Sequence, residues 1–320
     1  MRLDRNLAVL GTLWLPGAAA WGSLGHITVA YIATDLVNDR TSAYFQDLLR
    51  NSTEHYLAGV ATWADSIRYT KWGRFSKDFH FIDAKDDPPA YCGVDFARDC
   101  KAEGCIVSAI QNYTTQLLLV PPPGADANAE TAAEAGSVLP AWRRAQAAKF
   151  VVHFVGDIHQ PLHVENVAQG GNGIHVRWES TELNLHHVWD SSIAEKLLGG
   201  VGRRPYEAAR RWADDLTEQI REGRYAAPSR LWTNGISLDD PVAAAMSWAN
   251  ESNALVCTHV FPEGPTAIAG QELSGDYYEK AAPVIELQVA KAGYRLAAWL
   301  DLIADRVSSS AGATQAPGEL

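Results

Sequence analysis

Apolar residues recur at steps of three and four along most of the chain, which is the period of an amphipathic helix. The segments with this period are residues 25–38, 54–68, 105–119, 141–160, 204–222, 240–256 and 283–304. A two-residue alternation bounded by turn residues occurs only within residues 171–189 and favours one small hairpin. Because no repeat and no linker divides the pattern, it predicts a single mainly α domain, a helical bundle with one small β-hairpin.

Two segments depart from this helical pattern. Residues 121–140 are rich in Pro, Ala and Gly, so we predict an exposed loop between two helices. Residues 306–320 are mostly small and polar, and we predict a disordered C-terminal tail there. The folded domain is therefore expected to cover residues 21–305.

The first residues have the layout of a secretory signal peptide. Two arginines precede an apolar run over residues 7–15, and an Ala-x-Ala cleavage site follows that ends at Ala20. A membrane anchor is the alternative, but so short an apolar run cannot cross about 30 Å of hydrocarbon. We predict that residues 1–20 are a signal peptide, that the mature chain begins with Trp21, and that the protein is secreted and extracellular.

The composition is that of a folded acidic protein. Of 320 residues, 47% are apolar, and 27 basic residues against 38 acidic ones give a net charge of −11. A chain of this length can bury a large core. Its acidity argues against binding nucleic acid through a broad basic face. No later stretch is long and apolar enough to span a membrane, and no feature indicates a protein partner, so we expect a soluble monomer.

Four cysteines form an even set, which in a secreted protein predicts two disulfide bonds. Three pairings are possible. Cys100 and Cys105 bracket a short loop that contains glycine and favour each other, which pairs Cys92 with Cys257. Three N-x-S/T sequences mark predicted glycosylation sites, at Asn51, Asn112 and Asn250.

Histidine and aspartate are concentrated in two motifs. HFVGDIHQPLH covers residues 153–163, and HHVWD covers residues 186–190. In each motif a His and an Asp are four residues apart, so a helix would point both off one face. One such pair is more often a surface hydrogen bond, but two pairs so close in sequence indicate metal binding. Imidazole and carboxylate are the ligands from which a zinc site without paired thiols must be built.

These motifs, together with residues nearer the N-terminus, carry a family resemblance. The chain resembles the zinc-dependent single-strand-specific nucleases and 3′-nucleotidases of the S1/P1 type, whose helical fold is shared with bacterial phospholipase C. The resemblance runs from Trp21 to about Trp299. Members of that family begin their mature chain with Trp and bind three zinc ions through nine residues. All nine have a match here, namely Trp21, His26, Asp65, His80, His153, Asp157, His163, His186 and Asp190.

The resemblance implies three Zn²⁺ per chain with assigned ligands. The first ion is held by Asp65, His80, His153 and Asp157. Asp157 bridges to a second ion, which His26 and the α-amine and carbonyl oxygen of Trp21 also bind. The third ion is held by His163, His186 and Asp190. Because an α-amino group titrates near pH ~8, a metal can displace its proton at little cost once the signal peptide is removed.

The resemblance also implies how substrate is bound and cleaved. Asp65 orients the attacking water, Arg68 clamps phosphate oxygens in the transition state, and the products carry 5′-phosphates. Phe81 stacks on a base whose edge Asp83 hydrogen-bonds, and stacking needs an unpaired base. Single-stranded DNA, single-stranded RNA and 3′-nucleotides are therefore the expected substrates. The zinc ions concentrate positive charge in one cleft, so an acidic chain can hold a phosphodiester.

Two other functions fit parts of this pattern. A zinc-dependent phospholipase C acting on lipid headgroups would use the same scaffold, but Arg68, Phe81 and Asp83 suit a nucleotide better than choline. A non-catalytic secreted protein that keeps zinc only for folding is the alternative from another class. Structural zinc sites are normally closed by four protein ligands, whereas the third site here has three. The sequence therefore favours the nuclease, either as an endonuclease or chiefly as a 3′-nucleotidase.

Overall fold

The computed structural model of the chain describes residues 21–120 and 138–313. The predicted signal peptide lies outside the described residues, as do residues 121–137 of the predicted loop and residues 314–320 of the predicted tail.

The described residues contain twelve α-helices and one β-hairpin, joined by turns and loops. The helices are α1 (Ser23–Leu36), α2 (Asp39–Leu49), α3 (Trp63–Ile67), α4 (Phe96–Asp99), α5 (Ile106–Leu118), α6 (Ala141–Asp157), α7 (Leu185–His187), α8 (Ile193–Leu197), α9 (Pro205–Arg221), α10 (Pro241–Leu255), α11 (Pro265–Ile268) and α12 (Asp276–Ala313). Tighter 3₁₀ turns cover Ala58–Val60, Arg74–His80, Pro161–Val164 and Pro228–Leu231, and wider π turns cover Val188–Ser192 and Val256–Val260. The mainly α prediction is confirmed.

Helix α1 lies at the centre of the bundle. It packs along α9 and α12, while α5 packs along α6. Every residue of α1 from Leu24 to Ala33 is buried, so this helix is enclosed on all sides rather than amphipathic. Large aromatic side chains fill the interior, among them the fully buried Trp21, Trp189, Trp248 and Trp299. The core therefore surrounds the segments that carry the predicted metal ligands.

One local prediction was wrong, and one helix had not been predicted. Residues 54–68 do not form one helix but a 3₁₀ turn followed by the short α3, because Gly59 and the β-branched Val60 and Thr62 interrupt a weak helical segment. Helix α2 was not predicted, since only a few of its residues are buried. Its N-terminus is capped by Asn38, whose side chain accepts a hydrogen bond from the Thr41 N–H.

The predicted disordered tail begins too early. Helix α12 continues to Ala313, so residues 306–313 are helical. Val307 is buried against the bundle, and Arg306 donates a hydrogen bond to Asp239. The hydroxyls of the following serines donate to carbonyls four residues back, as Ser308 does to Ala304. These contacts accompany the continuation of the helix beyond residues 283–304, the segment in which apolar residues recur at helical spacing.

The hairpin joins strands β1 (His175–Trp178) and β2 (Thr181–Asn184), which pair in antiparallel register from His175 opposite Asn184 to Trp178 opposite Thr181. Glu179 and Ser180 form the two-residue connection, with positive φ angles of 48° and 68°. Such a turn matches the twist of the strands it joins. The hairpin leads directly into α7, which carries His186 and His187.

Both predicted disulfide bonds are confirmed. Cys92 pairs with Cys257 and Cys100 with Cys105, at Cα separations of 5.9 Å and 5.2 Å. The glycosylation sites stay predictions: Asn112 and Asn250 are exposed, and Asn51 is half-buried. Among the described residues, no helix combines the length and the apolar character needed to cross a membrane.

Candidate metal centre

Helix α6 carries two of the predicted ligands at its buried C-terminal end. His153 and Asp157 are four residues apart and point off the same face, as their spacing predicts. Gly156 lies beside Asp157, and a Cβ atom there would be 2.9 Å from Nδ1 of His26. The glycine therefore lets the imidazole of His26, which is on α1, approach the α6 backbone.

The Asp157 carboxylate lies between two sets of histidines. Its Oδ1 is 3.0 Å from Nε2 of His26. Its Oδ2 is 3.0 Å from Nδ1 of His80 and 3.2 Å from Nε2 of His153. Oδ1 of Asp65, on α3, completes this part of the centre at 3.9 Å from His80 and 3.7 Å from His153. The two oxygens of Asp157 thus face different ligand sets, the arrangement of a bridging carboxylate.

A second cluster lies where the Pro161–Val164 turn meets the segment after the hairpin. Nε2 of His186 is 3.1 Å from Oδ2 of Asp190, and Nε2 of His163 is 3.7 Å from Oδ1 of Asp190. The π turn Val188–Ser192 places Asp190 on the same side as His186. Ring centroids of the two histidines are 4.9 Å apart.

Backbone carbonyl groups fix the orientation of three of the imidazoles. Nδ1 of His153 lies 2.6 Å from the Ala61 carbonyl oxygen, and Nδ1 of His186 lies 2.6 Å from that of Gly170. Nδ1 of His163 lies 2.8 Å from the carbonyl oxygen of His80. In the neutral form of each ring, donation from Nδ1 leaves Nε2 with a lone pair directed into the cluster.

Sequence reasoning missed these orienting groups. Gln160 donates a hydrogen bond from its side-chain amide to Oδ1 of Asp190, and the other end of its amide caps the turn that carries His163. Its position inside the HQPLH motif was the available signal. The carbonyl partners have no signal in the sequence, because every residue carries a carbonyl group.

The electrostatics of the centre favour an ionised Asp157. Although burial opposes ionisation, the surrounding histidines hold the pKa of Asp157 well below its usual range. Burial lowers the pKa of His80 to about 4, so this imidazole is neutral near pH 7, which is the form that binds metals. Burial also tends to lower the pKa of His163, but the carboxylates of Asp157 and Asp190 outweigh it and raise that pKa to about 9. The cluster around His163 therefore attracts a cation.

The buried polar atoms fit bound metal ions. Within the described residues, Oδ1 of Asp65, Oδ1 of Asp157, Oδ2 of Asp190 and Nε2 of His163 are buried and have no hydrogen-bond partner. Buried carboxylates without such partners are costly unless a cation compensates them. Three groups have ligand atoms close enough together to hold an ion, namely His26–His153–Asp157, Asp65–His80–His153 and His163–His186–Asp190, and the first two share His153.

Trp21, the predicted N-terminal ligand, is buried between the two clusters. Its indole Nε1 donates to the carbonyl oxygen of Gly156 at 2.8 Å, next to Asp157. The N–H of Gly22 donates to the carbonyl oxygen of Asp190 at 2.7 Å. The indole of Trp21 is thereby held beside the helical turn that carries Asp157, and the residue after Trp21 is held at Asp190.

The predicted substrate residues lie at the edge of the centre. Nη2 of Arg68 is 3.3 Å from Oδ1 of Asp65. Phe81 and Asp83 are half-buried in the segment after His80. Lys101, which no sequence motif singled out, contacts both of these residues. Its Nζ is 2.6 Å from Oδ2 of Asp83 and 5.5 Å from the ring centroid of Phe81. The Cys100–Cys105 disulfide loop carries this lysine.

Buried clusters of histidine and aspartate in the interior of a helical bundle are typical of metal-dependent enzymes. The sequence model of the S1/P1 Nuclease family matches residues 21–305. The chain belongs to this family and is a hydrolase of the nuclease type. The family assignment made from the sequence is thereby confirmed, and three groups of residues are available for metal.

Curated relatives match over most of their length. The chain is 49% identical over 288 residues to Nuclease S1 of Aspergillus oryzae, covering 90% of this chain and 93% of that protein. It is 41% identical to Nuclease P1 of Penicillium citrinum, covering 88% and 97%. It is 31% identical to Endonuclease 4 of Arabidopsis thaliana, covering 94% and 95%.

Proposed function

We propose that this protein is a secreted endonuclease that hydrolyses single-stranded DNA and RNA to 5′-phosphate products, with 3′-nucleotidase activity, through three zinc ions. The observation that carries the proposal is the position of Asp157, whose two oxygens face different sets of histidines. Ions held at this carboxylate and at the His163 cluster would stabilise the negative charge that a phosphodiester shares between its two non-bridging oxygens and the charge that develops on its leaving oxygen.

The proposed assignment divides the nine residues among three ions. Asp65, His80, His153 and Asp157 would hold the first ion; His26, Asp157 and the amine and carbonyl of Trp21 the second; His163, His186 and Asp190 the third. When bound, zinc supplies a Lewis acid that activates water and neutralises charge on phosphate oxygens. Zinc is favoured because every side-chain ligand is an imidazole or a carboxylate and the clusters are buried.

Residues of the chain orient the reacting groups. The Asp65 carboxylate would accept a hydrogen bond from the attacking water and hold it in line. The Arg68 guanidinium would donate to phosphate oxygens as their charge develops, and its contact with Asp65 keeps it at the edge of the centre. The ring of Phe81 would stack on an unpaired base, a contact that tolerates any sequence and excludes a duplex.

Cleavage of matched oligonucleotides tests this function. The processed protein should cut a single strand rapidly to 5′-phosphate products and cut its duplex slowly. A chelator should abolish both activities, and zinc should restore them. A phosphatidylcholine substrate in parallel tests the phospholipase alternative. No cleavage of the single strand by protein that carries three zinc ions would contradict the proposal.

Replacing Arg68 with Ala should lower kcat on single-stranded DNA by about 10²–10³-fold, because a donor to the developing phosphate charge is lost. Arg68→Lys should recover part of this loss, since lysine keeps the charge but not the bidentate geometry. Zinc content should not change in either variant. Steady-state kinetics with metal analysis check this, and an unchanged kcat in Arg68→Ala would remove the residue from the mechanism.

Lys101→Ala should alter base preference. In the wild-type protein the Lys101 ammonium contacts the Asp83 carboxylate, which would otherwise accept hydrogen bonds from a base. The ammonium also offers a hydrogen-bond donor to the keto oxygens of bases. We expect the ratio of the cleavage rates of oligo(dA) and oligo(dT) to rise severalfold in the variant. The change is modest because an exposed ion pair contributes little energy. Lys85→Ala, an exposed lysine bonded to the Arg98 carbonyl, is the matched control. Equal ratios in all three proteins would contradict this role.

A further inference from the structure

One short surface segment of the described chain concentrates exposed aromatic rings. Tyr69 is 68% exposed, Trp72 58% and Phe75 56%. Elsewhere in the described residues, large exposed hydrophobic side chains are scattered singly, at Tyr91, Trp142, Tyr206 and Leu231. We call residues 69–75 the aromatic turn. A contiguous exposed apolar patch of this kind usually marks a binding surface.

The charge around the aromatic turn is opposite to that of the whole chain. Residues 66–77 contain Arg68, Lys71, Arg74 and Lys77 and no Asp or Glu, whereas the chain carries a net charge of −11. Lys71, Arg74 and Lys77 are exposed. This local excess of cations on an acidic protein favours a polyanionic partner.

A further cation and a further ring extend the same surface towards α6. The ring of Trp63 lies 6.1 Å from that of Trp72, and Nζ of Lys149 lies 4.9 Å from the centroid of the Trp63 ring. Lys149 is four residues before His153, so it lies one helical turn from a ligand of the metal centre. Aromatic rings and cations thus alternate across the surface next to the centre.

The backbone of the aromatic turn is held in place. The hydroxyl of Thr70 donates to the Ile67 carbonyl oxygen at 2.7 Å and accepts from the Gly73 N–H at 3.1 Å. A Cβ atom on Gly73 would lie 2.3 Å from that same carbonyl oxygen, so only glycine fits this close approach. The exposed rings are therefore displayed on a preformed surface, which reduces the entropic cost of binding.

The aromatic turn adjoins the metal centre, because Arg68 contacts both Tyr69 and Asp65. Nη2 of Arg68 donates to the hydroxyl of Tyr69 at 3.1 Å, and the same nitrogen is 3.3 Å from Oδ1 of Asp65. A strand whose phosphate lies at Asp65 and Arg68 would have its neighbouring nucleotides beside Tyr69. A protein partner would have no such reason to lie next to the reacting phosphate.

We propose that the aromatic turn is a second binding surface for single-stranded nucleic acid, on which bases adjacent to the cleaved phosphodiester stack while Lys71, Arg74 and Lys149 contact their phosphates. This inference rests on the proposed nuclease function and adds to it a preference for longer strands. Aromatic rings accept the face of any base, so the surface has no sequence code, and a duplex cannot use it because its bases are already stacked.

Comparing substrates of different length tests the aromatic turn. In Trp72→Ala, KM for a 20-nucleotide single strand should rise about tenfold with little change in kcat, because stacking contributes to binding and not to the chemical step. Hydrolysis of a 3′-mononucleotide, which is too short to reach Trp72, should keep its wild-type constants. Trp142→Ala is the matched control, since that tryptophan is also 58% exposed but lies at the start of α6.

A double variant, Lys71→Ala with Arg74→Ala, tests the charge component separately. The slope of log KM against log salt for the 20-nucleotide strand should fall by about 1.4, the contribution of two phosphate contacts on a single strand.

Equal KM values for wild type and Trp72→Ala on the long strand would overturn the proposal, as would equal losses in Trp72→Ala and Trp142→Ala. A change in sedimentation without a change in KM would instead assign the surface to contacts between proteins. Wild-type protein that cleaves no single strand would refute the nuclease function itself.

Discussion

Asp157→Asn should cost the enzyme two metal ions at once and nearly all of its nuclease activity. The two oxygens of Asp157 face different histidines, with Oδ1 at His26 and Oδ2 at His80 and His153. Asparagine keeps the size of the side chain but offers one neutral oxygen and an amide that cannot bind a cation. Both ligand sets therefore lose their shared negative charge, and metal analysis of the purified variant should show about one zinc ion per chain instead of three.

Asp190→Asn is the matched control for that loss. Asp190 is equally buried, and the two histidines that its carboxylate contacts, His163 and His186, belong to one cluster, so its replacement should remove one ion and leave two. Circular dichroism of both variants reports whether the helical bundle has formed. Loss of a single ion from Asp157→Asn in a folded protein would contradict the bridging assignment.

A mature protein that keeps Ala20 in front of Trp21 should lose the second zinc ion and most of its activity. The extra residue converts the α-amine of Trp21 into an amide, which does not bind zinc. Trp21 cannot easily move to compensate, because it is fully buried and its indole is fixed on the Gly156 carbonyl. Mass spectrometry of the N-terminus, combined with metal analysis and cleavage rates, checks this prediction.

Trp21→Phe with correct processing separates the amine from the indole. This variant loses the hydrogen bond to Gly156 but keeps the terminal amine and carbonyl, so it should retain its zinc ions with reduced stability. Full activity of the extended protein, or loss of zinc from Trp21→Phe alone, would contradict a role for the amine.

The long helices and the two His-x-x-x-Asp pairs could be predicted because each leaves a local signal in the sequence, whereas the other candidate ligands, among them His26 and Asp65, were proposed only from the family resemblance. An apolar period of three and four residues identifies α1, α5, α6, α9, α10 and α12. The spacing of His153 and Asp157 places them on one helix face whatever the tertiary structure. In the structure the two side chains contact each other, His80 contacts the Asp157 carboxylate, and Asp65 lies beside His80.

The remaining features depend on contacts between segments distant in the chain. The period at residues 54–68 predicted one helix, but Gly59 divides it, and the resulting short α3 carries Asp65 and ends just before Arg68. The carbonyl groups that orient the histidines are invisible in sequence. Lys101 reaches Asp83 only because the disulfide loop folds over that segment, so no local pattern could have assigned it.

Titration of metal-free protein with zinc, read out by cleavage of a single-stranded oligonucleotide, tests the central claim most directly. If three zinc ions held by the nine assigned residues perform the hydrolysis, activity should reach its maximum only when the third equivalent is bound. Protein that is fully active with one zinc ion per chain, or active with none, would contradict the account.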